Sequence, residues 1–547
     1  MSETYDYVII GSGASGSVLA ARLAEAGAGS ICVLEAGDHD NRALVKIPAG
    51  FVKNLSKPQL MWQFGSVAGD NTAGRSVYLP QGKILGGSTS INGLIYNRGQ
   101  AEDFDHWASL GNPGWSYRDV LPLFRRSENR SGVESQYRGG HGPLRISDPD
   151  QTHPLCDAFI KGVASVTGAP VGNDYNGESQ RGTGYYQRFI HRGARETVAR
   201  NFLSPARKFG IDVRTNSTVK RLLMTRRRAT GAEVERAGVT EIVNARCEVL
   251  LCAGTVNSAR LLQLSGIGNA DHLQSLGIPV EHHLAGVGEN FQDHYFVRLA
   301  ARLRDGTDTL NTQSRGLRLG KEVLRWCLGK PSILSWSPSI AYAFLSSQQW
   351  SDDHRITKSS ESSTRPDLQF VFSHGSYRPG RVYELDTFPA VTCGFTQQRP
   401  SSKGYVRVTS PHFTDVPQVQ PNYLDSELDQ QVTIKGFRMA RQFLESSELR
   451  SHYEEEVTPG PQVQTDEEIL DYARRTGNTG YHLVGTCMMG PASNLMAVVG
   501  PDLRLHGVDG LRVIDASVMP TVTSSNTCAA SIMIGEKGAD LILESAH

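Results

Sequence analysis

The first apolar run, Tyr5 to Ile10, is β-branched enough to predict a strand buried on both faces. Val18, Leu19, Ala21, Leu23 and Ala24 then recur at helical spacing, and Ala26-Gly27 closes that helix. A second short strand, Ile31 to Leu34, ends at Glu35. Far along the chain, Val249 to Ala253 reads as another buried strand, and Thr527 to Leu543 as a closing helix. Asp367 to Ser373, Ala390 to Phe395 and Gly404 to Thr409 predict strands of a separate sheet. Ser351 to Arg365 is polar and Ser-rich, which predicts an exposed loop. Trp326, Trp336, Tyr342, Phe344 and Phe372 suit either a pocket mouth or, more simply, core. No internal repeat is present.

The glycines turn the first elements into chemistry. Gly11-Ser12-Gly13-Ala14-Ser15-Gly16 lies between strand and helix. Gly11 suits a tight turn, Gly13 lets backbone approach a pyrophosphate, and Gly16 lets helix and strand pack closely. The helix N-terminus offers free N–H groups and a partial positive charge. Glu35 follows at the spacing of a ribose-binding acid, which favours FAD or NAD over NADP. Two further small-residue stretches suit backbone lying against a flat ligand: Gly82 to Gly93, and Ala253-Gly254-Thr255-Val256-Asn257-Ser258.

Composition narrows the class. The 547 residues carry 56 Lys plus Arg against 56 Asp plus Glu, so there is no cation surplus for nucleic acid. A hydrophobic share of 39% supplies a core and excludes a disordered chain. This length predicts three or four structural units, or two large domains. None of the eight cysteines forms a CxxC pair, and they read as reduced, mostly buried residues of an intracellular protein. The N-terminus lacks a basic leader pattern, and no apolar run approaches the roughly 20 residues of a spanning helix. A cytoplasmic location is expected, with peripheral membrane contact left open. His282-His283 lacks a third ligand at useful spacing, so no metal site is expected.

With these motifs in order, the chain resembles the glucose–methanol–choline (GMC) flavoprotein oxidoreductases. Residues 82–105 resemble the first family signature. Residues 254–268 resemble the second, with Ala259 where proline is usual. Tyr481 to Gly490 resembles the active-site motif, with Leu483 in place of a common proline, and Val513 to Ser517 with Met519 to Thr527 resembles the closing segment. Gly172 to Gly177, with Gly182 to Gln187 after it, resembles a loop of the sorbose and aliphatic alcohol dehydrogenase branch, the nearest by resemblance.

The resemblance implies an α/β architecture. A discontinuous Rossmann-like FAD domain would comprise residues 1–155, 195–297 and 481–547. An α+β substrate domain on an antiparallel sheet would comprise 156–194 and 298–480. It implies FAD against Gly11 to Gly16, Glu35, Ala36, Gly82, Leu85, Gly86, Gly87, Ser88, Asn92, Gly93, Leu94, Ile95, Val219, Ala253, Gly254, Asp515, Ala516 and Thr527. Ile91 stands where some members carry a flavin-linked histidine, so the FAD is expected to be non-covalent.

The implied reaction oxidises a primary alcohol to the aldehyde. His482 would take the hydroxyl proton while a hydride passes to flavin N5, and Asn526 would donate to the developing alkoxide. Asn526 also suits the N-cap of the last helix. Cys487 needs no role, and His294, in Asn290-Phe291-Gln292-Asp293-His294, reads as structural. Electrons would go to a quinone or dye-like acceptor. An oxygen-using oxidase that makes peroxide and a flavin-containing hydroxynitrile lyase stay open. The neutral chain shows no anionic cage for choline.

Overall fold

In the computed structural model the described residues are 2–130, 133–351, 353, 355–358, 365–378, 381 and 384–545. Seven strands build the first sheet: β1 (Ser2–Ile10), β2 (Ile31–Leu34), β3 (Asp212–Arg214), β4 (Ser217–Thr225), β5 (Arg228–Arg236), β6 (Val239–Leu251) and β7 (Leu511–Val513). Their order is β3-β2-β1-β6-β5-β4, with β7 also on β6. β1 runs parallel to β2 and β6, in register Val8 with Cys32 and with Val249. Val8, Ile9, Val33, Leu250 and Leu251 are fully buried, the near-continuous apolar content that a sheet covered on both faces requires. β4, β5 and the first half of β6 form an antiparallel extension.

Helix α1 (Ala14–Glu25) crosses from β1 towards β2. The closing helix packs on it so tightly that a Cβ on Gly535 would lie 2.6 Å from the carbonyl oxygen of Ser15. Arg22 ties the pair together through a 2.8 Å bond to the buried carboxylate of Glu536. Three separate stretches of the chain therefore share one Rossmann-like layer.

The second sheet is antiparallel. Its order is Tyr453–Thr458, Tyr295–Leu303, Ala390–Gln397, Leu368–Ser373, Ala341–Leu345 and Gly182–Tyr185, with Asn478–Thr479 on Tyr295–Leu303. The long helix Glu427–Leu444 lies across it, and Gly436 sits where a Cβ would be 2.6 Å from the ring of Phe395. Two of the three expected strands belong here. The third does not: Tyr405–Arg407 pairs with Gln418–Gln420 in a hairpin of its own. Its alternating pattern fixed a strand without fixing the partner. Trp336, Tyr342, Phe344 and Phe372 are buried in the core. The Ser-rich loop at 351–365 falls largely outside the described residues.

Candidate active site

The turn after β1 is sterically closed on one side and open on the other. Gly11 has φ +102°, and a Cβ there would meet the carbonyl oxygen of Cys252 at 2.4 Å, so glycine alone fits between β1 and the end of β6. At Gly13 an added Cβ would find nothing within 4 Å. The start of α1 beside it has no acidic residue in its first turn. Free N–H groups, positive end and open backbone together make a cradle for phosphates. Ser15 spends its hydroxyl on the carbonyl of Ser531 at 2.7 Å, joining that cradle to the last helix.

Glu35 is buried at the end of β2. It accepts from the Ser12 hydroxyl at 2.5 Å, from Ser12 N at 3.1 Å and from Gly37 N at 2.8 Å. Burial pushes its carboxyl above the usual carboxylate range. Ala36 lies between these contacts, and β4, which carries Val219, starts against them, with Ser217 N donating to the Glu35 carbonyl at 2.8 Å. The second glycine stretch docks on this loop. Gly86 N donates to Ser12 Oγ at 3.2 Å, Gly82 N donates to Ser88 Oγ at 3.1 Å, and Leu85 N bonds Asp38 O at 2.9 Å. A Cβ on Gly87 would lie 2.7 Å from Gly13 Cα.

Arg195, which the motifs did not single out, holds the next part of that stretch. Its buried guanidinium donates to Asn92 O and Asn92 Oδ1, each at 2.8 Å, and to Val45 O at 3.0 Å. Nη2 has no hydrogen-bond partner among the described residues. Desolvation lowers the Arg195 pKa to about 9. Gly93 and Leu94 follow, Leu94 buried at φ +69°, and Ile95 packs against Tyr175, Tyr186, Tyr342 and Phe344. Ile91 is buried with Val45, Leu60, Met61 and Ile84.

Ala253 leads into helix α2 (Gly254–Leu264), whose start is fixed by Asp515. That carboxylate accepts from Gly254 N at 2.8 Å, Ser258 Oγ at 2.6 Å and Ser517 Oγ at 2.5 Å, so its oxygens are already engaged beside Ala516.

His482 and Asn526, 44 residues apart, meet at 2.9 Å through imidazole Nε2 and amide Nδ2. Backbone bonds between Gln292 and Val484, at 2.9 and 3.0 Å, bring the segment after Asn290 alongside the one carrying His482. Buried Asp293 then takes His482 N at 2.8 Å, with Thr479 and Tyr423 hydroxyls on its other oxygen at 2.5 Å. Burial raises the Asp293 pKa to about 6. A second buried acid, Asp103, fixes the turn before Asn526 by accepting from Ser524 N at 2.7 Å and Ser524 Oγ at 2.8 Å. Thus each side chain of the pair is positioned by a carboxylate that never touches it.

Hydrogen bonding determines where the imidazole protons sit. His294 Nε2 lies 2.9 Å from the carbonyl of Gln398, an acceptor only, so this nitrogen carries the proton. His294 Nδ1 is then a lone pair, and it lies 2.7 Å from His482 Nδ1. The proton between them belongs to His482, which leaves His482 Nε2 unprotonated and facing the Asn526 amide. Asn526 Oδ1 in turn accepts from Gln369 Nε2 at 3.3 Å, and the same Gln369 nitrogen lies 2.7 Å from Tyr186 Oη. Burial brings His294 down to about 4. Burial, and then the neighbouring His294, holds His482 well below the usual histidine range.

From sequence His294 reads as structural, and nothing local in Asp293-His294 distinguishes a ring-positioning residue. Asn526 is not a helix cap: the last helix, α3 (Cys528–Ser545), begins two residues later, directly after Thr527, and the Asn526 amide is committed to His482 and Gln369. Cys487 is fully buried, and most of the cysteines are buried, whereas Cys247 and Cys327 are exposed. His153, Cys156 and His374 form one buried group whose ligand-type atoms lie within 4.8 Å of one another. The two imidazoles stack face to face at 4.1 Å, so their in-plane lone pairs do not converge on one ion.

The phosphate cradle at Gly13, the unpartnered Arg195 nitrogen and the convergent glycine loops fit a bound dinucleotide. Comparison with known proteins identifies which kind. Family models described as GMC oxidoreductase match residues 5–296 and 400–535. The oxygen-dependent choline dehydrogenase of Rhizobium etli is 37% identical over 542 residues, covering 98% of this chain and 95% of its own. The human mitochondrial choline dehydrogenase is 36% identical, covering 99% and 90%. Among solved structures, pyridoxine 4-oxidase of Mesorbium loti superposes with TM-score 0.87 at 27% identity, covering 99% of both chains. A formate oxidase of Aspergillus oryzae shares the fold, with TM-score 0.89 at 24% identity over 100% of this chain and 99% of its own. The chain belongs to the GMC oxidoreductase family and is an FAD-dependent flavoprotein acting on CH–OH groups.

Proposed function

We propose that this chain oxidises a primary alcohol to the aldehyde, with His482 as general base and Asn526 as donor to the substrate oxygen. The supporting observation is the fixed tautomer: His482 presents an unprotonated Nε2 beside an amide N–H. A substrate hydroxyl placed between them would give its proton to Nε2 and gain a hydrogen bond from Asn526 as its oxygen becomes negative. The depressed pKa keeps the imidazole neutral at neutral pH, ready to accept. FAD supplies the acceptor for the hydride. Residues 1–155, 195–297 and 481–547 would hold it without a covalent bond, Ile91 having no nucleophile, while 156–194 and 298–480 would enclose the substrate.

A neutral alcohol suits the surroundings. Both nearby carboxylates are spent, Asp293 on His482 N, Thr479 and Tyr423, and Asp103 on the Ser524 turn and Arg365. Next to the pair stands the Gln369 amide, on Asn526 Oδ1, and behind it the Tyr186 phenol, on the same Gln369 nitrogen. Choline is the second reading, favoured by the names of the relatives. For the acceptor we favour a quinone or dye-like molecule in a cytoplasmic enzyme, and oxygen is the alternative suggested by the oxidase neighbours.

Anaerobic mixing of the FAD-loaded enzyme with a panel of alcohols that includes choline tests this directly. Primary alcohols should bleach the flavin, and His482→Ala should slow bleaching by about 10²–10⁴-fold. A near-normal rate in that variant would reject the base, and no bleaching by any alcohol would favour lyase chemistry. Oxygen uptake during turnover separates oxidase from dehydrogenase.

A further inference from the structure

The helix Gly316–Cys327 buries none of its residues. Leu317 is 95% exposed, Leu324 59% and Leu328, just past its end, 62%. At about 100° per residue these three fall within about 40° of one another on the helix circumference. Gly320, Cys327 and Val323 extend the apolar side, and both Cys327 and Val323 are exposed. Lys321, Arg325 and Arg318 flank the leucines on the other side, Arg325 at 3.6 Å from Glu322 and Arg318 at 3.9 Å from the exposed carboxylate of Asp308. Residues 315–330 hold five cations, Arg315, Arg318, Lys321, Arg325 and Lys330, against the single carboxylate of Glu322, in a chain whose net charge is zero.

The opposite side of the helix is firmly held. The Trp326 indole donates to Gly193 O at 2.8 Å, Glu322 accepts from Ile333 N at 3.0 Å, and Ser332 Oγ donates to Glu322 O at 2.9 Å. The leucines are therefore presented outward by a fixed scaffold. The segment that follows reaches the flavin loop, for Pro338 lies 3.4 Å from where a Cβ of Gly93 would be.

We propose that this helix lies in the headgroup region of an anionic phospholipid membrane, leucines among the acyl chains and cations on the phosphates. Charge decides between this occupant and a second copy of the chain. An antiparallel two-fold contact would oppose Lys321 and Arg318 to cations and a parallel one would set them against the apolar flank of Cys327 and Val323, whereas anionic lipid neutralises them. Among the described residues no helix is long and apolar enough to cross a membrane, so the attachment would be peripheral. It deepens the quinone reading above, because a lipid-dissolved acceptor would be met at the loop carrying Gly93. Binding to lipid is measured without turnover, so its failure leaves the alcohol chemistry untouched.

The test is cosedimentation of the FAD-loaded full chain with phosphatidylcholine vesicles containing phosphatidylglycerol, compared with phosphatidylcholine alone. Wild type should sediment with the anionic vesicles and be released by salt. Each of Leu317→Ser, Leu324→Ser and Leu328→Ser should weaken binding about tenfold. Arg318→Gln and Lys321→Gln should each weaken it about fivefold. Flavin absorbance and alcohol-driven bleaching should stay at wild-type values, showing that these variants fold. Equal sedimentation of wild type and the triple leucine variant would overturn the proposal. So would binding that ignores lipid charge, or a dimer that the leucine variants abolish in the absence of vesicle binding.

Discussion

Replacing His294 tests the tautomer argument at its root. His294→Ala removes the acceptor 2.7 Å from His482 Nδ1, and with it the link to the Gln398 carbonyl. His482 is left with a buried, unsatisfied N–H or must move its proton to Nε2, the atom required as base. An orphaned buried donor costs about 1–3 kcal/mol. At about 1.4 kcal/mol per decade, the rate of flavin reduction should fall about 5–150-fold. The same truncation admits water beside His482, so its pKa should rise towards the ordinary histidine value and the acid limb of the rate should move to higher pH. His294→Gln keeps a carbonyl oxygen that can accept the proton, and should recover most of the rate. Stopped-flow anaerobic reduction across pH 5 to 9, roughly the range in which histidine titrates, reads both effects. An unchanged rate and unchanged acid limb in His294→Ala, with normal FAD content, would refute the argument. Glutamine performing no better than alanine would reduce His294 to a packing residue.

Other consequences follow from the same geometry. Asn526→Ala removes the donor proposed to face the substrate oxygen and should cost about 10²–10³ in reduction rate with little change in FAD content. Gln369→Leu frees the Asn526 amide to rotate, so it should lower the reduction rate by about tenfold, the scale of one hydrogen bond, and a larger loss than Asn526→Ala would be inconsistent with an indirect role. Stability should fall in acid: fully buried His294 titrates near 4 when folded and near 6.5 when unfolded. The unfolded chain therefore takes up the proton first. A contribution of about 3 kcal/mol, complete above pH 6.5, should be lost as pH falls towards 4, and denaturant titrations of His294→Gln should lack that share. Acid precipitation should release yellow FAD into the supernatant, and a yellow pellet would mean a covalent link.

The glycine turn after β1 was legible because its requirement is local. Gly11 cannot carry a side chain against Cys252, and strand, turn and helix follow within a few residues. The meeting of His482 with Asn526 was legible only through the family's motifs, since no local pattern joins residues 44 apart. Asp103, Asp293 and Arg195 left no trace in periodicity. Each is one buried polar residue whose partners come from remote segments, so its role exists only after folding. Tyr405–Arg407 shows the same limit in a strand: alternation reveals the element but not its neighbour. The exposed leucines of Gly316–Cys327 resemble core positions in sequence, and burial alone separates the two.

The arrangement of the first sheet also constrains biosynthesis. β1 precedes both of its neighbours along the chain, and one of them, β6, ends only at Leu251, while the edge β7 closes only at Val513. The first sheet is thus unfinished until residue 513 has been translated, leaving apolar strand edges open meanwhile. A nascent chain halted before Leu511 would lose the sheet's last strand and Asn526 together. The strand that closes the sheet and the amide proposed to face the substrate therefore arrive within the same short stretch of chain.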